Sequence, residues 1–251
     1  MSNAPKMEDR VLVEVTVPAP ADAVWKALRD KETVMQWFGW DADSLADEVE
    51  FIFFTYGRAD DAARVLDFEG VPDRYEVEDR GDHTIVRLIR SAPAAGEDWT
   101  GVFEDMTEGW IAFTEQLRFM MTRHLGQTRR TLYFGGEPRA GALNGAAALG
   151  LTDLPAVGEP WAAALPSGEV SGEVWHLGRH QVGLTVREWG DGLLLAMGRP
   201  PNDKWARGGT QLTLTTYGLD DAAFADLEAR WTAWWAERFD KRDPGPEDGC
   251  T

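Results

Sequence analysis

The side chains best suited to metal binding or proton transfer in this chain are its histidines, and two of them lie close together in sequence. His176 and His180 are four residues apart, a spacing that puts two imidazoles on one face of a helix, where they can bind a metal ion. Gly178 lies between them and the surrounding residues are β-rich, which favours a strand end and a turn. The sequence therefore predicts no metal site, and it predicts no cofactor.

No sequence motif assigns a catalytic nucleophile or a phosphate-binding loop. A Gly-x-Ser-x-Gly elbow is absent, and the glycines between 135 and 145 are not followed by Gly-Lys-Ser/Thr. The single cysteine, Cys250, is next to the last residue, so it has no partner for an intramolecular disulfide and we expect no catalytic role for it. Glu108 and Glu115 flank a long apolar stripe, and we expect both carboxylates to be solvated. We therefore predict no catalytic residue.

The most prominent pattern is a helical arrangement of tryptophans that occurs twice in a chain with twelve of them. Apolar side chains recur at three- and four-residue steps from residue 99 to 120 and again from 224 to 239. The strings at 109–113 (GWIAF) and 230–234 (RWTAW) align residue for residue. Each follows a β-rich stretch. The pattern indicates a duplicated domain whose last element is a long amphipathic helix laid on a sheet.

Local patterns place the remaining elements and define the domain limits. Hairpin-sized gaps separate the strands, so they pair antiparallel and the fold class is α+β. We predict one domain at 8–128, a second at 129–242 and a disordered tail at 243–251. In the first domain the predicted strands are 11–17, 49–56, 63–68, 73–78 and 84–91, and the predicted helices are 21–28, 31–38 and 97–125. In the second, the strands are 131–134, 161–165, 169–177, 181–189, 192–198 and 210–217, and the helices are 143–151 and 220–239.

Charge and hydropathy exclude some function classes. The net charge is −18 at pH 7, so a phosphate backbone would be repelled and we predict no nucleic-acid partner. No apolar run approaches the roughly 18 residues that a membrane span needs, and the N-terminus has no apolar signal core. We therefore expect no membrane span and a cytoplasmic location. The acidic run at 41–50 is interpreted as an exposed face or a loop at a cavity mouth.

Two strings in the first repeat resemble a known family. Residues 13–28 (VEVTVPAPADAVWKAL), followed by Trp37, are similar to the opening of the SRPBCC (START-like) superfamily, and residues 109–117 (GWIAFTEQL) to its closing helix. The most similar branch contains the bacterial proteins related to the activator of the heat-shock-protein-90 ATPase. The second repeat matches in element order and closing helix but lacks the Pro-x-x-x-Val-Trp string. The resemblance implies two tandem helix-grip domains, each an antiparallel sheet curled around its long C-terminal helix.

In many members of this superfamily, a cavity between sheet and helix holds an apolar small molecule. The resemblance thus implies that large side chains on the inner side of each long helix and on the facing sheet contact the ligand, with Trp37 near the mouth. The alternative is that these side chains fill the core. The predicted ligand-binding residues are Trp37, Phe51, Phe53, Tyr75, Trp99, Trp110, Phe113 and Leu117 in the first domain and Trp175, Trp231 and Trp234 in the second.

Three functions remain open at this point. The first is non-enzymatic binding of an apolar or aromatic small molecule in one or both cavities. The second is a cochaperone-like interaction module whose acidic surface meets a basic protein surface. The third is a cyclase- or hydrolase-type enzyme that uses an ionisable group inside the cavity, although spacing singles out no such group.

Overall fold

A computed structural model describes residues 9–92, 102–202 and 205–241, with backbone alone at 102–105 and 241. The chain divides between Gly126 and Gln127 into two compact units. Each unit contains one antiparallel sheet followed by a long helix. The predicted fold class, α+β with two tandem units of this kind, is confirmed. Trp99 and the tail at 243–251 lie outside the described residues.

The first unit is a five-stranded antiparallel sheet with strand order β1-β5-β4-β3-β2. Side chains alternate along β4, where Asp73, Tyr75 and Val77 are buried and the residues between them are half-buried, as expected for a strand with one face on the core. The strands are β1 Arg10–Val17, β2 Gly57–Asp60, β3 Val65–Phe68, β4 Asp73–Asp79 and β5 Thr84–Arg90, and the helices are α1 Ala21–Arg29, α2 Lys31–Val34, α3 Leu45–Val49 and α4 Val102–Arg123.

The strand predicted at 49–56 is wrong. Helix α3 continues directly into a π-helical segment, Glu50–Thr55, and the segment ends before β2. Val49 at the end of α3 and Ile52 and Phe53 in the π-helical segment are buried, at three- and four-residue helical spacing. A short apolar run is compatible both with a strand and with the buried side of a helix, so periodicity alone does not distinguish these two secondary structures.

A buried ion pair joins the sheet of the first unit to α4. Arg90 on β5 and Asp73 on β4 are register partners, and the guanidinium donates from Nε to Oδ1 at 2.7 Å and from Nη2 to Oδ2 at 2.9 Å. Its Nη1 donates to Thr107 Oγ1 of α4 at 2.9 Å. Both charged residues are at most 4% exposed. Because burying either charge alone is costly, this pair fixes the register of β4 and β5 under α4.

The second unit is a seven-stranded antiparallel sheet with strand order β12-β6-β11-β10-β9-β8-β7. Where a strand was predicted over 181–189, the strand ends at Val186 and a turn of 3-10 helix follows at Arg187–Trp189. A second such turn lies at Gly145–Leu149. The strands are β6 Arg129–Pro138, β7 Pro160–Leu165, β8 Gly168–Leu177, β9 Gln181–Val186, β10 Gly192–Arg199, β11 Gly209–Tyr217 and β12 Phe239–Lys241, and the helix is α5 Asp221–Arg238.

Helix α5 covers one face of this sheet through a narrow stripe. Asp220 begins the helix, since its carboxylate accepts a hydrogen bond from the Ala223 N–H at 2.8 Å. The buried side chains of α5 are Phe224, Leu227, Trp231 and Trp235. They pack against sheet residues that share a face across neighbouring strands. Those sheet residues include Leu132, Leu184, Val186, Leu194, Ala196, Leu212 and Leu214.

Replacement of Arg90 by alanine should lower the free energy of unfolding by about 3–5 kcal/mol, because it leaves the Asp73 carboxylate buried without its cation. Urea denaturation followed by circular dichroism measures the change. Arg58→Ala is the matched control, since Arg58 pairs with Glu69 where both side chains are more than half exposed. That control should cost less than about 1 kcal/mol. Equal losses for the two variants would contradict the role given to the buried pair.

Candidate functional site

The structure brings several predicted ligand-binding residues of the first unit into one aromatic cluster. Trp37 lies edge-on to Phe53 at a centroid distance of 5.5 Å and to Tyr75 at 6.3 Å. Tyr75 in turn lies 6.1 Å from Trp110 of α4. Phe68 fills the space beside them, 5.2 Å from Trp110. These rings contact one another in the orientations that aromatic cores prefer, so at this point between sheet and helix the interior is packed.

Trp37 is held at the centre of this cluster by a hydrogen bond as well as by packing. Its side chain is fully buried, and its indole N–H donates to the Ala27 carbonyl of α1 at 3.0 Å. The bond satisfies the one polar atom of the ring. Trp37 therefore joins α1 to the core.

Tyr75 is the one phenol in the cluster, and its hydrogen bonds have a defined direction. The Thr114 hydroxyl donates to the Trp110 carbonyl at 2.8 Å, so it accepts from the Tyr75 hydroxyl at 2.9 Å. Burial raises the pKa of Tyr75 well above its usual value, and the bond to Thr114 offsets only part of that rise. The phenol stays protonated at neutral pH, so it acts as a donor and not as a base.

The other two helical residues predicted for this site lie on the same side of α4. Leu117 is fully buried in the core of the first unit. Phe113 is half-buried, and its ring lies 4.7 Å from Phe38 and 6.2 Å from Trp110. Phe113 thus extends the aromatic cluster toward its edge.

Phe51 is separate from this cluster. The sequence placed it and Phe53 on the sheet, but both belong to the π-helical segment. Phe53 points into the core and is fully buried, whereas Phe51 is 43% exposed and its ring contacts Tyr56 at 4.2 Å. The difference follows from helical geometry, in which residues two apart point to different sides, whereas in a strand they would share a face.

The expectation that Glu115 is solvated is also wrong. This carboxylate is buried, at 7% exposure of the residue, and Arg118 one turn later in α4 binds it at 2.7 Å. The arginine supplies the cation that a buried carboxylate requires. Sequence spacing contained this signal, since residues three apart on a helix are neighbours.

In the second unit the predicted residues Trp231 and Trp234 meet in one core. Trp231 is fully buried and lies 5.7 Å from Trp234, 5.8 Å from Trp189 and 6.4 Å from Phe134. Trp189 lies in the 3-10 turn after β9, at the end of the range over which the sequence predicts a strand. Gly190 and Gly192 follow it, a combination typical of a turn that directs one large side chain inward.

Trp175 is buried but does not join this core. Val174, its neighbour on β8, packs in the cluster with Trp231, and successive strand residues point to opposite faces. The pairing of β8 with β9 also shifts register between Val174 and His176, which marks a β-bulge at Trp175. The structure therefore places Trp175 apart from Trp231 and Trp234.

The indole N–H groups of Trp189 and Trp231 are buried without an acceptor among the described residues. Trp189 and Trp231 are at most 2% exposed, and over the described part of the chain neither Nε1 has a hydrogen-bond partner. Trp161 in the same unit shows the usual arrangement, since its Nε1 donates to the Thr185 carbonyl at 3.0 Å. An unsatisfied buried donor costs about 1–3 kcal/mol. The two unpaired donors are therefore unusual features that call for an explanation.

The histidine pair occupies the strand end and turn that the sequence indicated. His176 lies near the end of β8, with its Nε2 3.3 Å from Gln181 Oε1, and His180 lies in the turn before β9. A Cβ added at Gly183 would approach His176 Nδ1 to 2.2 Å, so the glycine makes room for the imidazole. Within residues 9–92, 102–202 and 205–241, no three His, Cys, Asp or Glu side chains form a group able to hold a metal ion.

Comparisons with known proteins return similar structures but no family. No family model matches the chain, and no curated protein matches it. It is similar to DynU16 from the dynemicin biosynthetic locus, at 18% identity and TM-score 0.30, over 89% of this chain and 93% of that one. It is also similar to the di-domain ARO/CYC StfQ from the steffimycin biosynthetic pathway, at 12% identity and TM-score 0.33, over 90% and 92%. The branch predicted from the sequence stays a prediction.

Among the described helices, none is both long and apolar enough to cross a bilayer.

Truncation of Trp110 to alanine should lower the free energy of unfolding by about 3–5 kcal/mol, because it leaves a cavity among Phe38, Phe68 and Tyr75. Chemical denaturation measures the loss. Phe51→Ala is the matched control, since it also removes an aromatic ring but from the surface, and its effect should stay within about 0.5 kcal/mol. A Trp110→Ala protein as stable as the control would show that the ring lines an open space and does not support the core.

Proposed function

We propose that this protein binds an apolar or aromatic small molecule without transforming it, and that the second unit takes up this ligand beside Trp189 and Trp231. The observation that carries the proposal is the pair of buried indole N–H groups that have no acceptor among the described residues. A ligand with a suitably placed oxygen removes the cost of leaving them unpaired.

The two indoles define the chemistry of the ligand. An indole N–H only donates, so the ligand must present an acceptor, such as a ketone or ether oxygen. The surrounding rings of Phe134, Trp189 and Trp234 favour a flat, apolar or aromatic body. A neutral ligand suits a core built of aromatic rings, because burial of a charge without a partner is costly.

The same surroundings favour binding over catalysis. The rings that contact Trp231 carry no group that transfers a proton at neutral pH. Elsewhere, burial holds the phenols of Tyr75 and Tyr217 protonated, and it raises the pKa of Tyr217 to about 12 even though Arg129 lowers it. General acid–base work at neutral pH requires a group whose pKa lies near 7, which neither phenol provides.

Ligand entry requires α5 to move. Trp231 is fully buried, so a molecule that reaches its N–H must displace part of the stripe that α5 lays on the sheet. The residues on the opposite side of α5, among them Ala225, Arg230 and Ala233, are exposed. The helix is therefore packed from one side, through that stripe, and is also tied at its ends by the Arg130–Asp221 ion pair and by the hydrogen bond from the Arg139 N–H to the Arg238 carbonyl, so a shift away from the sheet must break these contacts.

The test uses two probes of the same shape, 9-fluorenone and fluorene, which differ by one ketone oxygen. Quenching of tryptophan fluorescence should show tighter binding of fluorenone, and Trp189→Phe or Trp231→Phe should each weaken fluorenone binding by about fivefold while leaving fluorene almost unaffected. The reason is that one hydrogen bond contributes about 1 kcal/mol.

Trp235→Phe is the matched control, since it removes an indole from the same helix. The Trp235 ring stacks on Phe239. It should leave the preference for fluorenone unchanged. The proposal fails if the wild-type protein binds neither probe, or if the Trp235 variant loses the preference as much as the Trp231 variant does.

A further inference from the structure

The π-helical segment exposes an aromatic pair on the surface of the first unit. The Tyr56 N–H donates to the Phe51 carbonyl at 2.9 Å, a hydrogen bond that spans five residues. The two rings lie 4.2 Å apart, and the residues are 43% and 37% exposed. In an α-helix, residues five apart are rotated by about 140° and would not meet on one side. The π register is therefore what brings the two rings together in solvent.

Carboxylates line the same helix toward its N-terminus. Asp47 and Glu48 lie four and three residues before Phe51, so they share its face, and Asp43 lies in the turn that precedes α3. All three are exposed. At this end the surface forms a depression of about 350 Å³, lined by Met35, Asp41, Ala42, Asp43, Leu45 and Ala46. We call Asp43, Asp47, Glu48, Phe51 and Tyr56 the acidic–aromatic face.

The unusual backbone is the reason to treat this face as more than a solvated surface. Single π turns are rare and occur often at functional sites. On the buried side of the segment, Ile52 and Phe53 pack in the core. The exposed ring pair makes no contribution to that core, so the face is available to a partner.

We propose that the acidic–aromatic face docks a basic, arginine-bearing segment of another protein. Arginine fits both halves of the face, because its planar guanidinium binds carboxylates through paired hydrogen bonds and stacks on aromatic rings. The same chain shows this contact beside the face, where the Arg29 guanidinium lies 5.6 Å from the centre of the Phe54 ring. This docking is independent of ligand uptake in the second unit.

Charge and length specify the occupant. With a net charge of −18, the protein repels nucleic acid and anionic lipid surfaces and attracts a basic partner. The face runs from Asp43 to Tyr56, which is about 15–20 Å along a helix. That length exceeds a single small amine and matches a peptide segment with several arginines. Exposed aromatic residues ringed by charges are typical of protein-binding surfaces.

The test uses a fluorescein-labelled peptide of six alternating arginine–serine repeats, with a lysine–serine peptide of the same charge as comparison. Fluorescence anisotropy should show tighter binding of the arginine peptide, since lysine does not stack on rings in the same way. The double variant Phe51→Ala, Tyr56→Ala should weaken binding of the arginine peptide about tenfold and of the lysine peptide by less than threefold.

Reversal of charge tests the acidic half. Asp47→Lys with Glu48→Lys should weaken binding of the arginine peptide at least tenfold. The matched control is Glu159→Lys with Glu169→Lys, two exposed acids of the second unit, which changes the net charge equally and should weaken binding by no more than threefold. Circular dichroism confirms that each variant is folded.

The proposal is overturned if the wild-type protein does not bind the arginine peptide, if the two charge reversals weaken binding equally, or if loss of both exposed rings has no effect. Fluorenone binding is measured on the same variants and should not change. A loss of fluorenone binding with intact peptide docking therefore counts against the ligand site alone.

Discussion

Contact between a line of large aromatic side chains on one long helix and one face of an antiparallel sheet is the constraint on which each unit depends. The apolar face of a sheet must be buried against another element. One helix is narrower than the sheet, so large side chains on the helix are needed to bury that face. Trp110 does this in the first unit and Trp231 in the second. The buried residues of each sheet and the apolar stripe of its helix pack around these rings.

The two units differ in whether the buried indole and phenol donors of their aromatic cores have hydrogen-bond acceptors. In the first, the Trp37 indole donates to a helix carbonyl and the Tyr75 phenol donates to Thr114, so these polar groups of the cluster are paired. In the second, Trp189 and Trp231 bury indoles that have no acceptor among the described residues. The Trp37 and Tyr75 donors are thus paired within the first unit, whereas the Trp189 and Trp231 donors of the second lie among aromatic rings.

The sequence was sufficient for the fold class because the helical stripes repeat over several turns and the strands are separated by clear turn residues. It was not sufficient where a pattern is short. The apolar run around Ile52 fits two secondary structures, and the core contacts of Phe53 decide between them. The inward turn at Trp189 depends on where the chain bends, so tertiary contacts determine it, whereas the ion pair of Glu115 with Arg118 follows a local helical spacing that the sequence contained.

The hydrogen bond from the Tyr56 N–H to the Phe51 carbonyl also limits how this chain can vary. Deletion of one residue between Glu50 and Thr55 would replace the hydrogen bond over five residues by an α-helical one over four. The residues after the deletion would then be rotated about the helix axis by about 100°. Gly57, the first residue of β2, follows the segment closely and has no room for a side chain, because a Cβ there would lie 2.2 Å from the Phe53 carbonyl oxygen. Ile52 and Phe53 of this segment are held in the core, so both its buried side chains and its length are constrained among homologues. Insertions and deletions should therefore be excluded from it, in contrast to ordinary surface loops.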